Sequence, residues 1–281
     1  MLQINVNRQF AGLLLTILIA SCSFMSIETP LDVQPKAPKI IAHCGYWDVD
    51  GAAENSIASL KNAGEIGVYA SEFDIQLTSD DNIVVCHNPT INGINIHETS
   101  LSDIRNSNCR LSNGELMPTL DEYFQEALRY PELFLVLELK SNGEIDYENR
   151  VIAACVNKIN NYKISERIIF ISFSLSACLN LKKYFKNNIV LYLGGDKNPK
   201  ELSKLGLDGL NCHYSYYNSH HDWIDDMIKL DMYAGVWTVD DSENIIKLIK
   251  QGVEFITTNT PVMALDCAAE YTKITHDRKC I

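Results

Sequence analysis

Residues 70–87 read Ala70-Ser71-Glu72-Phe73-Asp74-Ile75-Gln76-Leu77-Thr78-Ser79-Asp80-Asp81-Asn82-Ile83-Val84-Val85-Cys86-His87. Side chains alternate faces along a strand, so Glu72 and Asp74 share one face while Phe73 and Ile75 share the other. Two carboxylates on an otherwise apolar strand are costly to bury unless something neutralises them. The next apolar run, 83–87, begins after only Ser79-Asp80-Asp81-Asn82, too short for a parallel crossover, so it returns as a hairpin. A turn centred between Asp80 and Asp81 puts His87 across from Asp74. A slip of one residue would move that pairing and keep the two as neighbours.

Outward from this stretch a rhythm sets in from Lys39 onward. Apolar runs of strand length fall at residues 40–43, 70–78, 134–140, 168–173, 189–193, 209–212, 234–239 and 254–258. Amphipathic segments of helical period lie between them, as at 55–66, 120–129, 147–159, 177–186 and 242–249. Eight strands separated by helices predict parallel βαβ units and an α/β fold, a closed (β/α)8 barrel of the TIM type. A doubly wound open sheet has the same periodicity. Residues 89–118 form a polar insertion rich in Asn and Ser after the second strand, where a barrel carries loops that face its site. With 281 residues, 46% of them hydrophobic, the chain has the apolar material for one such barrel.

The first residues belong to targeting. Arg8 is the only charge before an apolar run at 10–20 that is too short to span a bilayer and ends in small residues. Ile19-Ala20-Ser21-Cys22 resembles a bacterial lipobox. The expectation is a signal peptide at 1–21, a lipidated Cys22, a tether at 22–37 and the barrel at 38–281. Lipid on Cys22 would hold the protein in the cell envelope, on the membrane and without a transmembrane helix. The eight cysteines after Cys22 show no CxxC pair and no metal-ligand rhythm. Cys86, Cys155, Cys178 and Cys212 sit in apolar stretches as small buried hydrophobes do, and Cys267 with Cys280 is the one pair considered. Asp and Glu number 36 against 24 Lys and Arg, with no basic stripe, which argues against a nucleic-acid partner.

Glu138-Leu139-Lys140 repeats the spaced-carboxylate pattern at the end of another apolar strand. Three carboxylates converging at one barrel mouth form an oxygen-rich site for a hard divalent cation; the alternative is salt-bridged polar positions at strand ends. His43 closes the first strand and His87 returns beside Asp74, which makes them a candidate acid/base pair. His213, His220 and His221 follow the sixth strand, and at most one of the adjacent pair can face a site. His97 and His276 are expected at the surface.

The order His43-x-Gly45, Glu54-Asn55-Ser56, Glu72-x-Asp74, Thr78-x-Asp80, His87, Glu138-x-Lys140, Ser172-Phe173, Trp237-Thr238-Val239 and Ile256-Thr257-Thr258-Asn259-x-Pro261 resembles the glycerophosphodiester phosphodiesterase family. The resemblance implies a (β/α)8 barrel with a small insertion after the second strand. It also implies a divalent metal, Ca2+ or Mg2+, and hydrolysis of a small-molecule glycerophosphodiester to glycerol 3-phosphate and an alcohol. Carried over by position, Glu72, Asp74 and Glu138 would be metal ligands and His43 and His87 the acid/base pair. Lys140 would contact phosphate, Trp237 would line the glycerol side, and Cys44 occupies a substrate-contacting position. The family pattern has Arg where this chain has Cys44, and Asp where it has Asn88 and Asn259. Two other readings remain open: a barrel that binds a phosphodiester or polyol without turning it over, and a phospholipase-D-like lyase that expels a cyclic phosphate.

Overall fold

The structure, a computed structural model, describes residues 37–277, with side chains to 273. The described strands are β1 (Lys39–Ala42), β2 (Ala70–Leu77), β3 (Ile83–Val85), β4 (Thr90–Ile91), β5 (Ile94–Asn95), β6 (Phe134–Leu139), β7 (Ile168–Ser172), β8 (Val190–Tyr192), β9 (Gly209–His213), β10 (Tyr233–Trp237) and β11 (Phe255–Thr258). The main sheet runs β1-β11-β10-β9-β8-β7-β6-β2, and a further parallel pairing of β1 with β2 closes it into a ring. The closing register is Ile41 beside Ala70 and Ala42 beside Ser71. The closed barrel is therefore the architecture, and the open sheet is excluded.

Helices cover the outside. They are α1 (Ile57–Ile66), α2 (Leu101–Asn106), α3 (Leu120–Ala127), α4 (Ile145–Tyr162), α5 (Leu175–Tyr184), α6 (Pro199–Lys204), α7 (Ser215–Ser219), α8 (Trp223–Lys229), α9 (Ser242–Gln251) and α10 (Pro261–Asp277). Each parallel crossover carries at least one of them. The two-residue period sends Phe73, Ile75, Leu135 and Leu137 outward, into the large apolar layer beneath these helices. The opposite face of the same strands fills the lumen, with Ile41, Ala70, Val136, Ile169, Leu191 and Phe255. Strands buried on both faces read as nearly unbroken apolar runs, which is why periodicity finds them so readily.

The lumen is plugged at the N-terminal ends of the strands. Tyr69 stacks on Phe134 at 4.7 Å, and the Lys39 ammonium lies 5.0 Å from the ring centres of both Tyr69 and Phe255 while pairing with Glu254 at 2.8 Å. Polar residues gather at the other end, the C-terminal face where barrels of this architecture carry their chemistry.

The β2–β3 hairpin corrects one expectation. The observed register sets Gln76 opposite Val84, and the Cys86 amide donates to the Asp74 carbonyl at 2.9 Å. Cys86, not His87, therefore stands across from Asp74. The cause is the loop: the Thr78 amide donates to the Asn82 carbonyl at 2.9 Å, and Asp81 takes a left-handed φ of 60°. That leaves a three-residue connection where the sequence suggested four. Because β3 pairs with the C-terminal half of β2, beyond the reach of β1, it lies outside the ring.

The insertion is more ordered than its composition suggested. The β4–β5 hairpin, a 3-10 turn at Ile96–Glu98 and α2 enclose a small core of Val84, Cys86, Ile96, Ile104, Cys109 and Met117. Glu115 ties the insertion to the barrel by accepting from the first amides of α1, Ile57 at 3.0 Å and Ala58 at 3.3 Å. The seven described cysteines are all buried, and none pairs with another of the seven. Burial pushes the thiols of Cys155 and Cys178 up to about 12. Cys22, the expected signal peptide and Cys280 lie outside the described residues.

Candidate active site

The register of β2 and β6 sets Asp74 directly beside Glu138, with Glu72 two residues back on the same face. All three carboxylates are buried, and oxygens from the three lie within 4.8 Å of one another. Lys140 reaches over them, its ammonium 2.8 Å from Asp74 Oδ1 and 2.6 Å from Glu138 Oε1. Asn55 clamps Asp74 from the other side: its Nδ2 donates to Oδ2 at 2.7 Å, and its Oδ1 accepts from the Asp74 amide at 2.9 Å. The Cys44 amide donates to Glu72 Oε2 at 2.7 Å, while Glu72 Oε1 is buried and unpartnered among the described residues.

The electrostatics follow from this crowding. Burial, then the nearby charges of Asp74 and Glu138, push the Glu72 carboxyl well above the usual range. Glu138 is driven up to about 7 by burial and by Asp74. Burial alone would raise Asp74 too, but Lys140, His87 and the Asn55 amide outweigh it, and Asp74 is held below the ordinary carboxylate range. One ammonium faces three buried carboxylates. The set is under-neutralised, it retains an unpartnered oxygen, and its donors are hard oxygens; a divalent cation fits it.

His43 follows β1, and Asn259 fixes its ring. Asn259 donates through Nδ2 to Asp240 Oδ2 at 2.9 Å, which turns its Oδ1 toward His43 Nδ1 at 2.8 Å. Nδ1 therefore carries the proton, and Nε2 keeps its lone pair. His87 follows β3. Gln76 holds it by donating to its carbonyl at 3.0 Å, and Gln76 Oε1 in turn meets His97 Nε2 at 2.7 Å. His97 also lies 3.1 Å from the Tyr147 hydroxyl and is partly buried, so it is not the surface residue expected. A polar strand residue, Gln76, needed a partner, and the insertion supplies it. His276 lies outside the residues whose side chains are described.

Both site histidines line a cavity of about 180 Å³ at the barrel mouth, with Glu72, Glu138, Lys140 and Trp237. The Trp237 indole donates to the Asn211 carbonyl at 3.0 Å and meets Phe173 edge-on at 5.5 Å. Asn211 Oδ1 and Thr257 Oγ1 line the same space and, like Glu72 Oε1, are buried without partners among the described residues. Sequence reasoning assigned no role to Asn211, Thr257, Asn55 or Gln76. Asn55 and Thr257 stood in the quoted motifs without a role, and Gln76 and Asn211 were simply polar residues within strand-length runs. Cys44 lies behind the cavity: it is fully buried, at φ 51°, with its thiol donating to Asp74 Oδ2 at 3.4 Å. His213 packs edge-on to Trp237 at 5.4 Å, while His220 stacks on Trp223 at 4.1 Å and His221 is exposed, so neither of the adjacent pair lines the cavity.

The model of the Glycerophosphoryl diester phosphodiesterase family matches residues 43–263. A Glycerophosphodiester phosphodiesterase from Caldanaerobacter subterraneus is 31% identical over 237 residues, covering 79% of this chain and 94% of that protein. The crystal structure of a glycerophosphodiester phosphodiesterase from Parabacteroides distasonis is 39% identical, covers 86% of this chain and 98% of its own, and superposes with a TM-score of 0.79. An Oleispira antarctica phosphodiesterase, solved in complex with the product sn-glycerol-3-phosphate, is 25% identical over 83% of this chain and 97% of its own, with a TM-score of 0.72. The chain therefore belongs to the glycerophosphoryl diester phosphodiesterase family and is a phosphodiesterase built on the (β/α)8 barrel that these relatives share.

Proposed function

We propose that the chain hydrolyses glycerophosphodiesters to glycerol 3-phosphate and an alcohol at the open end of the barrel. The observation that carries this reading is the buried Glu72–Asp74–Glu138 cluster, with Glu72 Oε1 unpartnered and a histidine of defined tautomer facing the same cavity. Glu72, Asp74 and Glu138 would hold Ca2+ or Mg2+, which would supply positive charge to the phosphoryl oxygens. Lys140 adds a fixed cation at the same mouth. Cys44 offers no group to the cavity, so phosphate recognition falls on Lys140 among this chain's own cations lining it.

His43 Nε2 accepts a proton from water as its oxygen attacks phosphorus. The bond from phosphorus to the alcohol oxygen breaks, and His87 gives that oxygen a proton. Trp237 takes the glycerol side. The glycerol 3-phosphate held by the Oleispira relative supports this choice of substrate half. The reading extends to location: lipid on Cys22 would hold the enzyme at the membrane of the cell envelope, where deacylated phospholipids arise.

The test is turnover of glycerophosphocholine with and without chelator, with the phosphorus product identified. Glycerol 3-phosphate is expected, lost on chelation and in Glu72→Ala. A cyclic phosphate would show the lyase chemistry instead, binding without product would show an inactive barrel, and full activity in chelator would remove the metal.

A further inference from the structure

A phosphodiester has two halves, and each needs a place on its own side of phosphorus. The cavity beside Trp237 is one such place. A second and larger cavity, of about 530 Å³, runs between the barrel mouth and the insertion, and His87 lines both. The residue that protonates the leaving oxygen thus stands where the two spaces meet. Beyond it, the walls of the second cavity include Trp47, Glu54, Asn88 and Arg110.

Among the described residues, Glu54 is the only carboxylate lining this groove and Arg110 the only Lys or Arg. Neither side chain has a hydrogen bond or ion pair among the described residues. Arg105 and Glu122 pair at 2.6 Å elsewhere on the surface, whereas these two face the groove uncompensated among the described residues. Glu54 is the one nearer the reaction centre. It directly precedes Asn55, whose side chain clamps Asp74 at 2.7 Å, whereas Arg110 lies out on the insertion. The indole of Trp47 is pinned by its Nε1 donating to Asn259 Oδ1 at 3.2 Å, the oxygen that also orients His43. A fixed aromatic ring and an unpaired carboxylate in one groove suit a cation, through cation–π attraction and direct charge pairing.

We propose that this groove seats the leaving alcohol and selects alcohols that carry an ammonium group, of the ethanolamine and choline class, with Glu54 and Trp47 as the recognition residues. The inference rests on the phosphodiesterase reading above and adds its substrate class. Such an ammonium is two carbons from the ester oxygen, so the half that departs past His87 carries its charge into the near part of the groove, where Glu54 stands. Arg110, on the insertion, opposes that charge.

The test compares kcat/KM for glycerophosphoethanolamine and glycerophosphocholine with that for glycerophosphoglycerol and glycerophosphoinositol, using the full chain in detergent. The expected preference for the cationic pair is about tenfold, the scale of one charge-assisted contact. Glu54→Gln should erase it, mainly through KM, and Arg110→Gln should widen it. Both residues are exposed, so neither variant threatens folding. Equal values across the four diesters, unaltered in Glu54→Gln, would overturn the proposal. Choline alone is the second probe, read by tryptophan fluorescence with Trp47→Phe as the control. If no diester is cleaved but choline binds and Glu54→Gln abolishes its binding, the hydrolysis reading fails and the groove assignment stands. If diesters are cleaved and choline does not bind, the groove assignment fails alone.

Discussion

Asn259 shows how a residue outside the lining of the cavity can shape the site. Its amide orientation, set by Asp240, leaves His43 with a lone pair aimed at the cavity. Cys44 and Glu138 carry the two predictions that belong at this scale. An arginine at Cys44 would bring a planar fork of donors to phosphate, a contact worth roughly 1.5 to 3 kcal/mol. The backbone is already left-handed at Cys44, so Arg adds no backbone strain over Cys, and its longer side chain must pass the buried thiol position to reach the cavity. Cys44→Arg should raise kcat/KM on glycerophosphodiesters severalfold; an unchanged or lower value would mean the pocket is shaped for another group. Glu138, raised to about 7, and Glu72, raised well above the usual carboxylate range, hold protons in the folded metal-free protein that the unfolded chain releases. The native state thus binds more protons between the ordinary carboxylate range and about pH 7, and stability falls as pH rises through that window. A bound cation would replace those protons. The gain in Tm on adding Ca2+ or Mg2+ should accordingly be larger at about pH 7.5 than at about pH 5.5, as calorimetry with and without chelator would show. Equal gains would place the cation elsewhere. Glu72 with Asp74 was legible because a two-residue period is a local signal. Asn211 was not, because a polar residue in an apolar strand acquires meaning only from what faces it across the barrel.

At the scale of elements, the strands declared themselves and the turns did not. The β2–β3 hairpin was legible from the length of its connection, but its register was off by one residue. The left-handed Asp81 converts a four-residue gap into a three-residue loop, and nothing in Asp-Asp-Asn dictates that choice. The insertion looked like polar loop because its core is small and partly borrowed from β3, whose Val84 supplies one wall. Its grip on the barrel runs through Glu115, which satisfies two of the orphan amides at the start of α1. Glu115→Ala should cost about 1 kcal/mol in a denaturant titration, the scale of a lost N-terminal cap. It should also loosen the Glu54–Asn55 turn just ahead of that helix. No measurable loss would show that solvent replaces the carboxylate freely.

For the whole molecule, eight alternations of strand and helix stated the fold class, and closure stayed ambiguous for a physical reason. The pairing that separates barrel from open sheet joins Ile40 to Ile256 and Ile41 to Ala70, and no local period reports contacts at such separations. The location of the protein is the other whole-chain question. Cys22→Ser should release it from membranes into a soluble fraction on cell fractionation; continued association would reveal a second anchor. The buried cysteines have a consequence for how this molecule is made. Seven thiols scattered from the end of β1 to α10 are sealed in the folded state, and none has a partner among the others. An oxidant meets them only while the chain is open, and every bridge it forms among them is a wrong one. In an oxidising compartment folding would therefore be a race against oxidation, in which the barrel must close before its thiols find each other.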